Sequence, residues 1–232
     1  MRDTKTGRML KNSDRQIVND FSGDDPATAY WAGFLYGDGC IQKGGQLQVC
    51  LSSVDLDHLI KLSLFICGSD YVCKYDTRCY FQISHENIRN GLAKWGILHD
   101  KTKMDTLYNI QTEYMKDFIR GYFDADGWVS IGYSKKYGKY NMYYRRFCVG
   151  ICSYNIENLE YINQFLPTPG KIHSKKKQIL YELRWSSIKK DINVIKFLYH
   201  PELSLSRKAV KLCQLMNYDQ MAVTLISKDT LK

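Results

Sequence analysis

Two aspartates close two similar short segments of the chain, and their type and spacing suit metal-dependent chemistry. The segment "FIRGYFDADGWVSI" (118–131) reads as a helix that ends in Asp126, and "YWAGFLYGDGCIQ" (30–42) ends a similar run in Asp38. Acidic residues are disfavoured at a helix C-terminus, where the helix dipole is negative. Two matched breaks of this local rule favour a functional explanation, because such conflicts concentrate at functional sites.

If both helices end side by side, their carboxylates repel each other unless a cation binds between them. Hard oxygen ligands of this kind suit Mg²⁺, with the remaining positions left to water and phosphate. Such a metal activates water and stabilises the leaving oxygen of a phosphodiester. We therefore predict Asp38 and Asp126 as catalytic metal ligands, with the backbones of Gly37 and Ala125 beside them and Mn²⁺ able to replace Mg²⁺. The alternative is an Asp-Gly helix stop without chemistry, which a single motif would favour and a matched pair does not.

Small residues four positions apart give each predicted motif helix one smooth face. These pairs are Gly33/Gly37 in the first helix and Gly121/Ala125 in the second. We expect the two faces to pack with their backbones very close, which brings Asp38 beside Asp126. The glycines that follow the acids, Gly39 and Gly127, are expected to take left-handed conformations that end the helices.

The similarity between the two segments continues downstream and indicates a duplicated chain. The stretch "LQVCLSSVDLDHL" (47–59) aligns with "FCVGICSYNIENL" (147–159), and "YFQIS" (80–84) aligns with "ELRWS" (182–186). An ordered set of matches with the same apolar alternation indicates an internal repeat. Asp124 has no acid at the matching position of the first copy, so we expect it to cap or pack at the helix interface rather than to catalyse.

Each copy reads helix, two strands, helix, two strands, helix. Short strand connections imply antiparallel pairing. The predicted fold is α/β (α+β): two tandem αββαββα repeats, each an antiparallel four-stranded sheet with helices on one face, related by a pseudo-twofold axis through the motif helices. The predicted helices are 28–38, 55–67, 85–96, 114–126, 155–166 and 187–199. The predicted domains are an N-terminal arm (1–27), two half-domains (28–117 and 118–217) and a C-terminal tail (218–232).

Positive charge is concentrated in the second half of the chain, which has 232 residues and a net charge of +9. Residues 118–217 hold 17 Lys+Arg and 7 Asp+Glu, net +10, whereas residues 28–117 hold 9 and 10, net −1. A one-sided basic excess favours a polyanionic partner, with nucleic acid first.

The sequence has no secretory signal and no apolar run of membrane-spanning length, and its eight cysteines lack zinc-site spacing. We expect an intracellular protein, in the cytoplasm or an organelle interior, with most of its histidines at the surface.

Strand alternation predicts which side chains point away from the helices. If Leu47, Val49 and Leu51 pack on the helices, the residues between them face outward. The side chains expected on such DNA-reading faces are Gln48, Ser52, Tyr80, Gln82, Arg146, Lys171, His173, Glu182 and Arg184. Arg and Gln can make bidentate contacts to guanine and adenine edges. The segments 133–146 and 171–177 add Lys135, Lys136, Lys139, Arg145 and Lys175 for phosphate contacts. A solvated loop is the alternative for each charge run.

The chain resembles the LAGLIDADG homing endonuclease family in its single-chain, two-motif form. The motifs read "WAGFLYGDG" at 31–39 and "IRGYFDADG" at 119–127, and the resemblance extends over residues 28–212. It implies saddle-like sheets over the DNA major groove, with the eighth motif residue, Asp38 or Asp126, binding divalent metal. It also implies that a monomer cuts both strands of a long double-stranded target, usually an intron or intein insertion site.

The chain departs from the family in one respect, and two alternatives to a DNA endonuclease stay open. Many members carry a Gln-Lys pair after the second strand, where this chain has Ser53-Val54 and Ser153-Tyr154. The basic help could come instead from the loops after the third helices, which hold Lys101, Lys103, Arg207 and Lys208. The first alternative is a cleavage-deficient protein of the same fold that acts as an intron RNA maturase or DNA-binding regulator. The second is an α/β domain whose repeat serves stability alone.

Overall fold

The computed structural model describes residues 15–99, 107, 110–136, 142–174 and 180–217. Within these ranges it has seven α-helices and two antiparallel four-stranded sheets, ordered β1-β2-β4-β3 and β5-β6-β8-β7. The first repeat holds α1 (Pro26–Asp38), β1 (Gly39–Ile41), β2 (Gln46–Ser52), α2 (Leu56–Cys67), β3 (Cys73–Lys74), β4 (Arg78–Ser84) and α3 (Glu86–Lys94). The second holds α4 (Met115–Asp126), β5 (Gly127–Lys136), β6 (Met142–Ser153), α5 (Ile156–Asn163), β7 (Lys171–Ser174), β8 (Tyr181–Trp185), α6 (Ile188–Leu198) and α7 (Ser206–Met216). The predicted fold of two αββαββα repeats is confirmed.

The chain forms two compact units, Met1–Asp126 and Gly127–Lys232. The second motif helix, α4, therefore packs within the first unit, although the sequence repeat assigns it to the second half-domain. The sequence repeat reflects the order of the elements along the chain, whereas the compact units reflect which elements are in contact with each other. None of the helices in the described residues is long and apolar enough to span a membrane.

Each sheet has one buried face and one more open face. In β2 the side chains of Leu47, Val49 and Leu51 are buried on the side that contacts α1 and α2. In β6 the side chains of Val149 and Ile151 are fully buried on the side that contacts α5. Successive side chains of a strand point to opposite faces. The residues between these apolar positions therefore form the opposite face of each sheet.

The first motif helix begins at a well-formed cap. The Asp25 carboxylate accepts hydrogen bonds from the backbone N–H groups of Ala27 and Thr28, both at 3.0 Å. Pro26 follows at the first helical position, where its missing N–H is not needed. All residues from Thr28 to Tyr36 are buried. A helix that is buried all round belongs in the centre of its unit.

The glycine after the first motif helix has a steric rather than a conformational role. Gly39 has φ −76° and ψ 150°, an extended conformation, so the expected left-handed geometry is wrong there. Gly127 is likewise not among the described glycines with positive φ, which are 45, 68 and 96. A methyl group at Gly39 would lie 2.4 Å from the carbonyl oxygen of Leu35. The chain therefore turns directly into β1 through a space that only glycine fits.

Helices α1 and α4 are in close backbone contact within the first unit. A methyl group on Gly33 would lie 2.0 Å from the carbonyl oxygen of Phe118, and one on Gly121 would lie 1.8 Å from the carbonyl oxygen of Tyr30. Real Cβ atoms do not approach other atoms so closely, so both positions exclude a side chain. Tyr36 adds edge-on ring contacts to Phe118 and Tyr122 along the same pair of helices.

Helix α7 lies where a loop is predicted from the sequence. The expectation that Arg207 and Lys208 are loop residues is therefore wrong. Leu212 and Leu215, three positions apart, are buried on one face of α7, and the Lys211 ammonium donates to the carbonyl of Val129 on β5. Packing of α7 on α6 and β5 stabilises a helix whose N-cap residue makes no side-chain hydrogen bond.

We expect Gly121→Ala to lower the free energy of unfolding by about 2 kcal/mol, because the added methyl group overpacks a backbone contact. Alanine is the better helix former by about 1 kcal/mol, so a loss would show that the contact outweighs propensity. Gly44→Ala is the matched control, since nothing lies within 4 Å of its Cβ position, and should change stability by less than about 0.5 kcal/mol. Urea denaturation measures both. Equal stability of Gly121→Ala and wild type would contradict the close contact.

Candidate active site and nucleic-acid interface

Two carboxylates lie at the same end of the α1–α4 pair. Asp38 is the last residue of α1 and is half-buried, whereas Asp126 is the last residue of α4 and is exposed. A methyl group on Gly37 would lie 2.9 Å from Oδ2 of Asp126 and 2.4 Å from Cβ of Ala125. The Asp126 carboxylate therefore lies against the residue that precedes Asp38. Both acids end helices whose C-terminal dipoles are negative, which makes this point attractive to a cation.

The donor atoms at this end fit a hard divalent cation. The candidates are the carboxylates of Asp38 and Asp126 and the backbone carbonyls of Gly37 and Ala125, and all are oxygens of the kind that Mg²⁺ and Ca²⁺ accept. No group of three or more His, Cys, Asp or Glu side chains in the described residues has the arrangement of a metal site. A metal here would therefore depend on two carboxylates, with backbone oxygen, water or a ligand phosphate as its other partners.

Asp124 lies in the helix interface, two residues before the exposed Asp126. It is 2% exposed, and its Oδ2 accepts a hydrogen bond of 2.6 Å from the Tyr30 hydroxyl on α1. The same hydroxyl lies 3.3 Å from Nε2 of His58. Burial, together with the negative charge of Asp124, raises the pKa of Tyr30 well above its ordinary value. This polar contact joins the two motif helices in the core.

His58 is a core residue and is an exception to the expectation that most histidines lie at the surface. It is 3% exposed on α2 and packs against the rings of Trp31 and Phe34, with centroids 4.9 and 4.8 Å away. Because it lies in the aromatic core, His58 is a candidate neither for a metal ligand nor for a pH switch at the surface. The apolar spacing of α2 gave a clue, since Leu59 and Leu62 share its buried side.

The open face of the first sheet carries amide, aromatic and basic side chains. Gln48 on β2 and Gln82 on β4 are register partners, and Gln42 donates to Gln48 Oε1 at 2.9 Å. Ser52 is exposed, and Tyr80 is half-buried with its ring 5.5 Å from that of Tyr75. The predicted residues Gln48, Ser52, Tyr80 and Gln82 therefore lie on one face of one sheet. Such a surface offers both hydrogen-bonding amides and stacking rings.

Two arginines on this face were not predicted. Arg15 donates to the Gln82 carbonyl at 2.7 Å and stacks on Tyr71, with Cζ 4.4 Å from the ring centre. Arg78 begins β4, and hydrogen bonding to Tyr80 raises the pKa of its exposed guanidinium. The parity of β4 could have identified Arg78, which is two residues before Tyr80. Arg15 had no such signal, because its place depends on a contact with Gln82, which is 67 residues away in the sequence.

The open face of the second sheet is more basic. Arg146, Lys171 and His173 are exposed there, and with Arg184 they line one groove. Arg184 pairs with Glu182, which is 3% exposed, so the expectation that Glu182 faces solvent is wrong. Glu182 is buried because its strand lies between two neighbouring strands and because its carboxylate packs against Arg184.

Several predicted basic residues lie outside the part of the chain whose side chains the structure describes. These are Lys101, Lys103, Lys135, Lys136, Lys139, Arg145 and Lys175. Of the other two candidate helpers, Arg207 is exposed on α7, whereas Lys208 is only 3% exposed. Burial makes Lys208 a poor candidate for contact with a nucleic acid.

Comparisons with known proteins agree with this architecture. Residues 119–217 match the family described as LAGLIDADG endonuclease. The structure is similar to I-SmaMI bound to cleaved DNA, with a TM-score of 0.65 and 13% identity over 89% of this chain and 91% of that one. It is also similar to I-SmaMI bound to an uncleaved DNA target in the presence of calcium ions (TM-score 0.62, 12% identity, 85% and 92% coverage). A third similar structure is I-AabMI bound to uncleaved DNA (TM-score 0.61, 11% identity, 85% and 92% coverage). No curated protein matches the sequence.

We expect Tyr30→Phe to lower the free energy of unfolding by about 2 kcal/mol at pH 7, because it removes a donor from the buried Asp124 carboxylate. The raised pKa of Tyr30 adds a pH dependence. Because the folded state keeps the phenol neutral, the Tyr30 hydroxyl stabilises the folded state fully below about pH 10. Above about pH 10 this contribution to the free energy of unfolding falls by about 1.4 kcal/mol per pH unit. The advantage of wild type over Tyr30→Phe should therefore narrow above pH 10.

Denaturation curves at several pH values measure this difference. The exposed Tyr75→Phe is the control and should change stability by less than about 0.5 kcal/mol at pH 7. A Tyr30→Phe protein as stable as wild type at neutral pH would show that the hydrogen bond contributes nothing to the helix pair.

Proposed function

We propose that this chain, a LAGLIDADG-family protein with two motif helices, is a site-specific DNA endonuclease that hydrolyses phosphodiester bonds with a divalent metal. The observation that carries the proposal is the meeting of Asp38 and Asp126 at one end of a helix pair whose glycines allow no side chain between them. The family description and the DNA-bound endonucleases of similar fold support the same reading.

The two aspartates would bind the metal, with the backbones of Gly37 and Ala125 completing the oxygen surface around them. Mg²⁺ is the proposed physiological ion and Mn²⁺ a substitute, because both accept carboxylate and water oxygens. A divalent ion at this point supplies a water of lowered pKa and stabilises charge on the leaving oxygen. The role of the chain is to hold both carboxylates at a fixed separation, and the close packing of α1 on α4 supports that role.

The open sheet faces are the proposed DNA-binding surfaces. The first offers Gln48, Gln82 and Tyr80, which suit hydrogen bonds to bases and stacking contacts. The second offers exposed Lys171 and Arg146, which suit phosphate contacts. The net charge of +10 on residues 118–217 also supports a polyanionic ligand. The presence of two different faces on one polypeptide supports a long double-stranded target bound by a single chain.

A cleavage-deficient DNA-binding regulator or intron RNA maturase is the second candidate. The observation that favours it lies after the second strand of each sheet, where many family members carry a lysine. Here Val54 and Tyr154 occupy these positions, and both are 78% exposed. Neither side chain carries a positive charge, so neither replaces the ammonium group of that lysine. Metal-dependent cutting separates the two candidates.

Asp126→Asn should reduce DNA cleavage by about 100-fold or more while leaving DNA affinity within a few-fold, because a metal ligand provides several kcal/mol of transition-state stabilisation. The measurement is a selection of cut sites from a randomised duplex library with Mg²⁺, followed by single-turnover cleavage of the selected site. Asp57→Asn, which changes an exposed acid on α2, is the matched control and should cut like wild type. An Asp126→Asn protein that cuts at the wild-type rate would refute the catalytic role.

Lys171→Ala should weaken binding to all duplexes about equally, because a phosphate contact carries no base information. The slope of log K against log salt concentration should fall in magnitude by about 0.9 for the lost contact. Fluorescence anisotropy at four or more salt concentrations measures the slope. An unchanged slope would remove Lys171 from the binding surface.

A further inference from the structure

The open face of the second sheet carries one buried acid among its cations. Glu182 lies on β8 with Cys152 and His173 as its register partners, and its side chain is 5% exposed. An uncompensated carboxylate on this surface would repel a phosphate ligand, and a buried carboxylate is costly unless it is paired. The pairing partner is Arg184, two residues further along the same strand and on the same face.

A second contact holds the same guanidinium. Cζ of Arg184 lies 5.9 Å from the ring centre of Trp128 on β5, within reach of a cation–π interaction. The indole lies across Gly150 on β6, where a methyl group would fall 2.3 Å from ring atom Cη2. Gly150 is the register partner of both Trp128 and Arg184. The missing side chain at Gly150 therefore opens the path by which the indole on β5 reaches the arginine on β8.

The two contacts leave one part of the arginine available. The Arg184 side chain is 36% exposed, whereas its Nε atom is enclosed and has no hydrogen-bond partner among the described residues. The accessible surface therefore belongs to the rest of the side chain, in the groove shared with Arg146, Lys171 and His173. A guanidinium that is already oriented loses less conformational entropy when it binds a ligand.

Orientation distinguishes a base contact from a phosphate contact. A phosphate can be reached from many directions, and the exposed Lys171, the register partner of Arg184, is suited to it. The O6 and N7 atoms of guanine present two acceptors in one plane, and an arginine fork reads them only in a defined orientation. The salt bridge and the aromatic contact fix the orientation of one arginine. A fixed orientation adds little to phosphate binding, but a bidentate contact to a base requires it.

We propose that Arg184 reads one guanine of the target through its major-groove edge, and that Glu182 and Trp128 are positioning residues that fix the guanidinium for this contact. The inference rests on the proposed DNA-binding function and adds to it the identity of one base. The matching position of the first sheet holds Gln82, whose amide is of the type that pairs with adenine. The two copies would then read different bases at equivalent points, which makes the target asymmetric.

The test is a selection of bound duplexes from a randomised library with the full-length protein, followed by affinity measurements on single-base variants of the selected site. Arg184→Lys keeps the charge and loses the fork. It should reduce the preference for guanine at one position by about 10-fold or more and leave the other positions unchanged. Glu182→Gln should weaken the preference at that same position, while affinity for non-target DNA rises because the face loses a negative charge.

Trp128→Phe is the second positioning variant, and it guards against a folding defect in Glu182→Gln. The smaller ring weakens the contact to the guanidinium, so the preference at the Arg184 position should again relax. Melting temperatures establish that each variant is folded. If both folded variants keep the wild-type preference at that position, the positioning role is refuted.

The outcomes separate the inference from the function on which it rests. If Arg184→Lys, or Arg184→Ala beside it, weakens all sequences equally, Arg184 contacts phosphate and the guanine assignment is overturned, while the DNA-binding function stands. If the wild-type protein enriches no sequence, the proposed function itself fails. Loss of guanine preference at one position, shared by Arg184→Lys and the positioning variants and absent from Lys171→Ala, would support the inference.

Discussion

The rest of the first unit depends on the contact between the backbones of α1 and α4. At Gly33 and Gly121 the two helices come so close that a single methyl group on either would meet a carbonyl oxygen. Dispersion contacts at such a distance are numerous, and any sliding of one helix along the other would bring side chains into the contact. The contact therefore fixes the register of the two helices, and with it the relative positions of the acids at their ends.

A buried polar contact adds direction to this packing. Apolar surfaces tolerate small shifts, whereas the hydrogen bond from the Tyr30 hydroxyl to the Asp124 carboxylate requires a defined distance and angle. Because Asp124 is 2% exposed, losing the bond leaves a charge poorly compensated in the core. Two aspartates on the same helix thus differ completely in role: Asp124 is held in the core, and Asp126 lies at the exposed end two residues later.

The two sheets share one architecture but carry side chains of different chemistry on their open faces. At equivalent places the first sheet has Tyr80 and Gln82, and the second has Glu182 and Arg184. The neutral pair leaves the first face to hydrogen bonding and stacking, whereas on the second face the buried acid is compensated by Arg184, whose guanidinium lies near Trp128. A duplicated fold can diverge in this way because the residues on the open faces contribute little to the packing against the helices. Divergence there changes binding without changing the fold.

The sequence by itself determined the order of elements, the repeat, the antiparallel sheets and the position of both motif acids at helix ends, because periods of 2 and 3.6 residues and small residues four apart are local properties. Only the tertiary structure decided which polar residues are buried. Glu182 was expected to face outward and is buried, His58 is a buried exception among histidines expected mostly at the surface, and Arg207 was expected in a loop and lies on a helix. The burial of His58 and Glu182 depends on the segments that cover them, and the helix that holds Arg207 packs on α6 and β5. These are properties of packing rather than of the local sequence.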